Sequence, residues 1–195
     1  MFHKVDTDTL SRKEQKFLLN LARQTIAAKV RAQNVPALEI PYLGVQKECG
    51  AFVTLLKNKS LRGCIGYIKG VKPLYRSIQE LAEFAAFYDP RFEPLDESEL
   101  PNIVIEISVL SPLRKIGSLK KIKVRRHGLF IRLENAQGLL LPQVAAKHNW
   151  DRTTFLEHVC LKAELPRDAW LNPAAEIMIF EAQIFMEQPR AEEFV

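Results

Sequence analysis

The chain has 195 residues, with 28 Lys+Arg against 23 Asp+Glu and a formal net charge of +5. Its 47% hydrophobic and 26% charged residues exclude a disordered, collagenous or low-complexity protein. The longest uncharged stretch, Asn135–Ala146, is twelve residues, well short of the ~18 needed for a membrane-spanning helix.

The first predicted element is a helix over about 11–32. Ser11 with Glu14 three residues on forms a capping box, and Phe17, Leu18, Leu21, Ala22 and Ile26 recur at helical spacing. This leaves Lys13, Lys16, Arg23 and Lys29 for the wet side. After a Pro-containing connector, 34–45, the apolar period shortens. Two short runs, 50–56 and 61–68, flank Lys57-Asn58-Lys59-Ser60 and read as a hairpin with a polar turn. Pro73 opens a second helix, with Leu74, Ile78, Leu81, Ala82 and Ala85 on one face, and Asp89-Pro90 ends it. Ile103, Ile105, Ile107 and Val109 alternate along the strongest strand, 102–110. A second hairpin is expected from 122–124 and 129–133 around His127-Gly128, then a short strand, 139–141, stopped by Pro142. Asp151 caps a helix over about 152–163, and a strand across 176–185 closes the chain. Hairpins dominate and no strict βαβ alternation appears, so the fold class expected is α+β with a mainly antiparallel sheet flanked by helices.

Three cysteines, Cys49, Cys64 and Cys160, lie far apart and form no CxxC pair. That pattern fits a reducing compartment and offers no zinc framework. The N-terminal residues lack the apolar core of a signal peptide. A cytoplasmic protein is expected.

The residues with chemistry fall into four groups. In Leu61-Arg62-Gly63-Cys64-Ile65-Gly66, two glycines flank a cysteine inside a strand. Glycine weakens a strand unless a backbone or ligand approaches closely there. Strict alternation puts Arg62 and Cys64 on one face, where the arginine lowers the thiol pKa or holds an anion. The plainer alternative is a small buried cysteine and an arginine paired to a core carboxylate. Next, Asp89-Pro90-Arg91-Phe92 projects an acid and a base from one rigid corner, either for substrate or to cap a turn. Third, Glu106 interrupts an apolar strand, with Ser108 on the same face. A buried carboxylate needs a cation, and Arg62 and Arg91 are the expected partners; on an edge strand Glu106 would instead face water. Last, Arg114, Lys115, Lys120, Lys121, Lys123, Arg125 and Arg126 form a basic run that no acid interrupts between Glu106 and Glu134. It is a solvated basic segment or a nucleic-acid contact. No aromatic is interleaved before Phe130, so the run alone gives no stacking platform.

Leu-Arg-Gly-Cys-Ile-Gly at 61–66 resembles the signature of the AMMECR domain family, whose prokaryotic members are called AmmeMemoRadiSam system protein A. Gly50-Ala51-Phe52-Val53-Thr54-Leu55, Asp89-Pro90-Arg91-Phe92 and Glu106-Ile107-Ser108-Val109-Leu110-Ser111 continue the likeness. So do His127-Gly128-Leu129, Leu140-Leu141-Pro142-Gln143-Val144, Trp150 and Trp170. Two positions depart from the pattern: Tyr67 where a threonine is usual, and Glu164 where a glycine is common. The resemblance implies one domain over 9–187, with a larger body and a smaller lobe forming a cleft, and tails at 1–8 and 188–195. It also implies action with a Memo-type protein and a radical S-adenosylmethionine enzyme, but names no reaction and no cofactor.

The expected site is an anion-binding cleft. Arg62 and Arg91 hold an anionic group, Asp89 and Glu106 orient them, and Gln143 adds amide hydrogen bonds from the facing lobe. Cys64 is the candidate nucleophile or redox thiol, and no metal site is assigned. The alternatives are a non-enzymatic adaptor, or a nucleic-acid-binding module using Lys120, Lys121, Lys123, Arg125 and Arg126.

Overall fold

A computed structural model of the chain describes residues 9–35 and 39–188. The expected tails fall outside the described residues except for Gln188, as does part of the 34–45 connector. Among the described residues are helices α1 (Arg12–Val30), α2 (Leu74–Phe87), α3 (Pro142–Lys147) and α4 (Arg152–Lys162). The strands are β1 (Ala51–Lys57), β2 (Ser60–Tyr67), β3 (Ile103–Leu110), β4 (Arg114–Lys115), β5 (Gly128–Leu133), β6 (Ala136–Leu140), β7 (Glu176–Phe180) and β8 (Ala182–Met186). They form two four-stranded sheets, in the orders β2-β1-β3-β8 and β4-β7-β5-β6. The fold is α+β, as the patterning predicts. The described residues divide into two compact units, one made of those within 1–109 and 183–195 and the other of residues 110–182.

In the first unit, α1 begins at the capping box: Ser11 N donates to Glu14 Oε2 at 2.8 Å, and Glu14 N donates to Ser11 Oγ at 3.4 Å. Arg23 departs from its expected place in water. It donates to the carbonyls of Leu100 (2.8 Å) and Ile103 (2.9 Å) and pairs with Glu187. The β1–β2 hairpin turns at Asn58 and Lys59, whose φ of 52° and 62° match the right-handed twist of the strands. Val53, Leu55, Ile105 and Ile107 share one buried cluster with Leu18 and Ile26 of α1 and Ile78 and Leu81 of α2. The opposite face carries Phe52, Thr54 and Leu56, half-buried.

The two signature glycines have separate structural reasons. A Cβ on Gly63 would lie 2.1 Å from the carbonyl oxygen of Ala85, so this residue sets the approach of α2 to β2. A Cβ on Gly66 would lie 2.1 Å from Phe52 Cδ1, so the bare glycine accommodates the ring of its cross-strand partner. Both fit the close-approach reading.

In the second unit the hairpin forms elsewhere than expected. β5 pairs antiparallel with β6 and β7, whereas residues 122–127 are a turn in which Lys123 N donates to His127 Nδ1 at 3.1 Å. Pro142 starts α3 as well as stopping a strand, because proline is well suited to the first helical turn. The predicted strand 176–185 is interrupted at Glu181, where Ser111 exchanges two 2.9 Å bonds with the Glu181 backbone. Its halves, β7 and β8, belong to different sheets.

Glu164 stands just past α4 with φ 59°. Leu165 N donates to the Cys160 carbonyl and Glu164 N to the Leu161 carbonyl, each at 3.0 Å. This pattern of helix termination favours glycine at its left-handed residue. Glu164→Gly is therefore expected to raise stability by about 1 kcal/mol in a denaturant titration. Gly63→Ala should lower it by about 1–3 kcal/mol, because the carbonyl it strikes is fixed in α2. Unchanged unfolding midpoints for both variants would contradict these assignments.

Candidate functional site

β2 is an edge strand, so one side of its backbone lacks a neighbouring strand. At Cys64 two side chains take that neighbour's place. Cys64 N donates to Asp89 Oδ2 at 2.8 Å, and Arg91 Nη2 donates to the Cys64 carbonyl at 3.1 Å. The pair is closed on itself: Arg91 Nε reaches Asp89 Oδ1 at 2.9 Å and Nη2 reaches Oδ2 at 2.6 Å. Asp89 sits two residues past α2, and the Arg91 backbone N also donates to its Oδ1 at 3.2 Å. The Asp89 side chain is 2% exposed and that of Arg91 50%. Arg91 holds the Asp89 carboxyl well below its usual range, at about 2. The contacts of Arg91 use Nε and Nη2, which leaves Nη1 without a hydrogen bond among the described residues.

Arg62 does not share the environment that strict alternation assigns it. The β1–β2 register pairs Leu55 with Gly63 but Leu56 with Leu61, so Arg62 is the extra residue of a β-bulge. A bulge re-aims a side chain. Arg62 turns to Glu99, with Nε to Oε1 at 2.9 Å and Nη2 to Oε2 at 2.7 Å, and Nη2 also reaches the Glu93 carbonyl at 3.0 Å. Its Nη1 is buried with no hydrogen-bond partner among the described residues. The carboxylate that Arg62 meets is thus that of Glu99, not the expected Glu106. Lys57 Nζ also contacts Glu99, at 2.9 Å. Arg62 brings the Glu99 carboxyl down to about 2. Phe92 lies between these systems, its ring centre 5.8 Å from the Arg62 guanidinium carbon and 5.6 Å from that of Arg91.

Thr54 is the cross-strand neighbour of both Cys64 and Glu106, which brings all three to one face of the sheet. The Thr54 hydroxyl donates to Cys64 Sγ at 3.3 Å. Burial pushes the Cys64 thiol above its ordinary value; the Thr54 bond and the Arg91 charge oppose that shift, and Asp89 and Glu106 add to it. Burial thus works against the arginine-activated thiolate that the sequence suggests, while the Arg91 charge works for it. Tyr67, one of the two departures from the family pattern, donates to Glu80 Oε2 at 2.7 Å and ties β2 to α2; that carboxylate pushes the phenol up to about 12. Gln143 belongs to the second unit, in the first turn of α3. Among the described residues no group of three His, Cys, Asp or Glu side chains is placed to hold a metal ion.

Comparisons with known proteins agree with this architecture. The AMMECR1 family model matches residues 19–185. The chain belongs to the AMMECR1 family. A protein of Methanopyrus kandleri is 42% identical over 190 residues, covering 93% of this chain and 92% of its own length. One of Methanocaldococcus jannaschii is 41% identical over 192 residues, covering 94% and 95%. The crystal structure of an uncharacterized protein from Pyrococcus horikoshii superposes with a TM-score of 0.84 at 36% identity, covering 89% of this chain and 92% of that one. Among the described residues no helix is long and apolar enough to cross a membrane.

Sequence reasoning missed Thr54, Phe92 and Glu99 as members of this AMMECR1 cluster. Thr54 was legible as the residue midway along the strand before the signature. Glu99 had no signal, since it lies among the exposed acids of 93–99 and only the fold buries it.

The acid response follows from the two lowered carboxyls. Glu99 and Asp89 fall to about 2 from ordinary values of 4.5 and 3.8. Their ionised forms thus stabilise the fold fully above about pH 4.5, and this contribution is lost as pH falls toward 2. Glu99→Gln should lower stability at pH 7 by about 3 kcal/mol, because it strands a mostly buried guanidinium. It should also flatten the loss between pH 4.5 and 2. Denaturant unfolding at pH 7 and pH 3 checks both, and a variant with the parent's pH slope would refute the pairing.

Proposed function

We propose that this AMMECR1-family chain is a substrate-binding component that seats an anionic group on Arg91, beside Cys64 at the edge of β2. The observation that carries this reading is the state of Arg91. Three hydrogen bonds to Asp89 and the Cys64 carbonyl fix its guanidinium, half of the side chain is exposed, and Nη1 has no acceptor among the described residues. A guanidinium positioned in advance with a spare donor loses little freedom on meeting a carboxylate or phosphate oxygen. Arg62 and Glu99 act as the support that holds the 93–99 loop against β2. Phe92 gives the two guanidinium groups a common apolar surface.

Cys64 serves this site through its backbone N–H and carbonyl, which hold Asp89 and Arg91, rather than as a standing nucleophile. Its thiol is shifted upward by burial, so at neutral pH it keeps its proton. Glu106, across Thr54 from the thiol, adds negative charge to the same face and further disfavours a thiolate. In this reading the ligand is presented to other proteins for reaction, in keeping with the Memo-type and radical S-adenosylmethionine partners that the family resemblance implies.

Calorimetric titration with inorganic phosphate tests the reading. Arg91→Lys keeps a charge against Asp89 but loses the planar fork, so phosphate affinity should fall at least tenfold. Cys64→Ser should bind as the parent does, and a thiol reagent should label Cys64 slowly in the folded protein. Parent-like affinity in Arg91→Lys, or rapid stoichiometric labelling of Cys64, would overturn the proposal.

A further inference from the structure

The second unit gives the basic run, which the sequence leaves as either a solvated segment or a nucleic-acid contact, a setting that its linear sequence does not show. Residues 120–126 are held by contacts that do not use the lysine side chains. His127 Nδ1 accepts Lys123 N at 3.1 Å, and Arg152 Nε donates to the Ile122 carbonyl at 3.4 Å. Arg125, with φ 73°, donates through Nη2 to Asn149 Oδ1 at 3.0 Å. Asn149 is itself left-handed, with φ 51°. Asparagine tolerates this conformation, and Asn149 takes it just past the end of α3. Here the two left-handed turns are joined directly, which fixes the basic segment beside the α3–α4 junction.

An aromatic stack occupies that junction. The Trp150 indole lies 5.0 Å from the His148 ring at 19° and 3.9 Å from the His158 ring at 11°. Phe155, fully buried, supports Trp150 from 6.3 Å. His148 is the exposed member of the stack. The acid beside it, Asp151, is engaged in capping α4 through Thr154 N at 2.8 Å. In the basic run, Lys115 is paired with Glu176 and Arg126 with Glu181. Lys120, Lys121 and Lys123 are exposed and have no carboxylate partner among the described residues, and Arg125 has only the Asn149 amide.

We propose that the second unit binds single-stranded polynucleotide, with Lys120, Lys121, Lys123 and Arg125 contacting successive phosphates and an unpaired base stacking on His148, the exposed ring of the His148–Trp150–His158 stack. Charge alone would suit any polyanion. The stack selects a single strand, because bases in a duplex already cover one another while an unpaired base offers a free face. An acidic peptide has phosphate-like charges but no planar ring to place there. The Arg91 site belongs to the other unit, and this binding extends the proposed function to a second ligand class.

Fluorescence anisotropy of the full chain with labelled 12-mer oligouridylate and oligodeoxythymidylate tests it. With three or four phosphates neutralised, affinity should weaken about 20- to 50-fold between 50 and 200 mM KCl. Lys121→Glu with Lys123→Glu should weaken binding at least tenfold and lower the salt slope. His148→Ala, at an exposed position that leaves the fold intact, should weaken it about fivefold or more with the slope unchanged. A duplex of equal length should bind more weakly than the single strand at the same salt. Failure of both oligonucleotides to bind at 50 mM KCl would overturn the proposal. Indifference to His148→Ala, or a polyglutamate peptide bound as tightly as the oligonucleotides, would overturn it equally, since either would leave only a nonspecific basic surface.

Discussion

The Asp89 carboxylate is the contact on which the first unit's site depends. It is buried and accepts four N–H bonds, from the backbone of Cys64 and from the backbone, Nε and Nη2 of Arg91. An ionised carboxylate in that position would be very costly without those donors, and the unpaired edge of β2 would invite association with another strand. Each problem answers the other. The exposed edge supplies a donor that needs an acceptor, and the helix end supplies an acid that needs donors. Arg91 completes the exchange by covering the Cys64 carbonyl.

The two arginines of the cluster are thereby divided in role. Arg62, rotated out of alternation by the β-bulge, spends its ordered donors on Glu99 and a loop carbonyl, inside the protein. Arg91 is anchored on one side and exposed on the other. The difference arises from packing rather than from residue type. Gly63 lets α2 come close enough to β2 that its far end, with Asp89, meets the strand edge. A side chain at Gly63 would push α2 away and move Asp89 out of reach of Cys64 N.

In the second unit the same economy works through turns. Arg125 and Asn149 both hold left-handed backbone and share a hydrogen bond, joining segments 24 residues apart in the chain. The buried Phe155 and the two imidazoles hold Trp150 in a fixed plane. Neither the basic run nor the tryptophan alone has a distinctive neighbourhood; the turn-to-turn contact gives each its setting.

Local signals in the chain determined much of this. The Ser11–Glu14 box, the apolar spacing of α1 and α2, the proline after Asp89 and the alternation of β3 act within one or two turns, so they are readable from neighbours alone. The close approach at Gly63 was also legible, because a glycine within a strand has few other physical uses. The resemblance at 61–66 and 89–92 identified the residues that meet at the edge of β2. What the sequence left open depends on non-local placement. The bulge at Arg62 changes which carboxylate it meets, the burial of Cys64 decides the direction of its thiol, and the break at Glu181 sends one apparent strand into two sheets. Hydrophobic period and turn chemistry are short-range properties of the chain. Ion pairing, desolvation and ring stacking depend on which distant residues the tertiary fold brings to within a few ångströms.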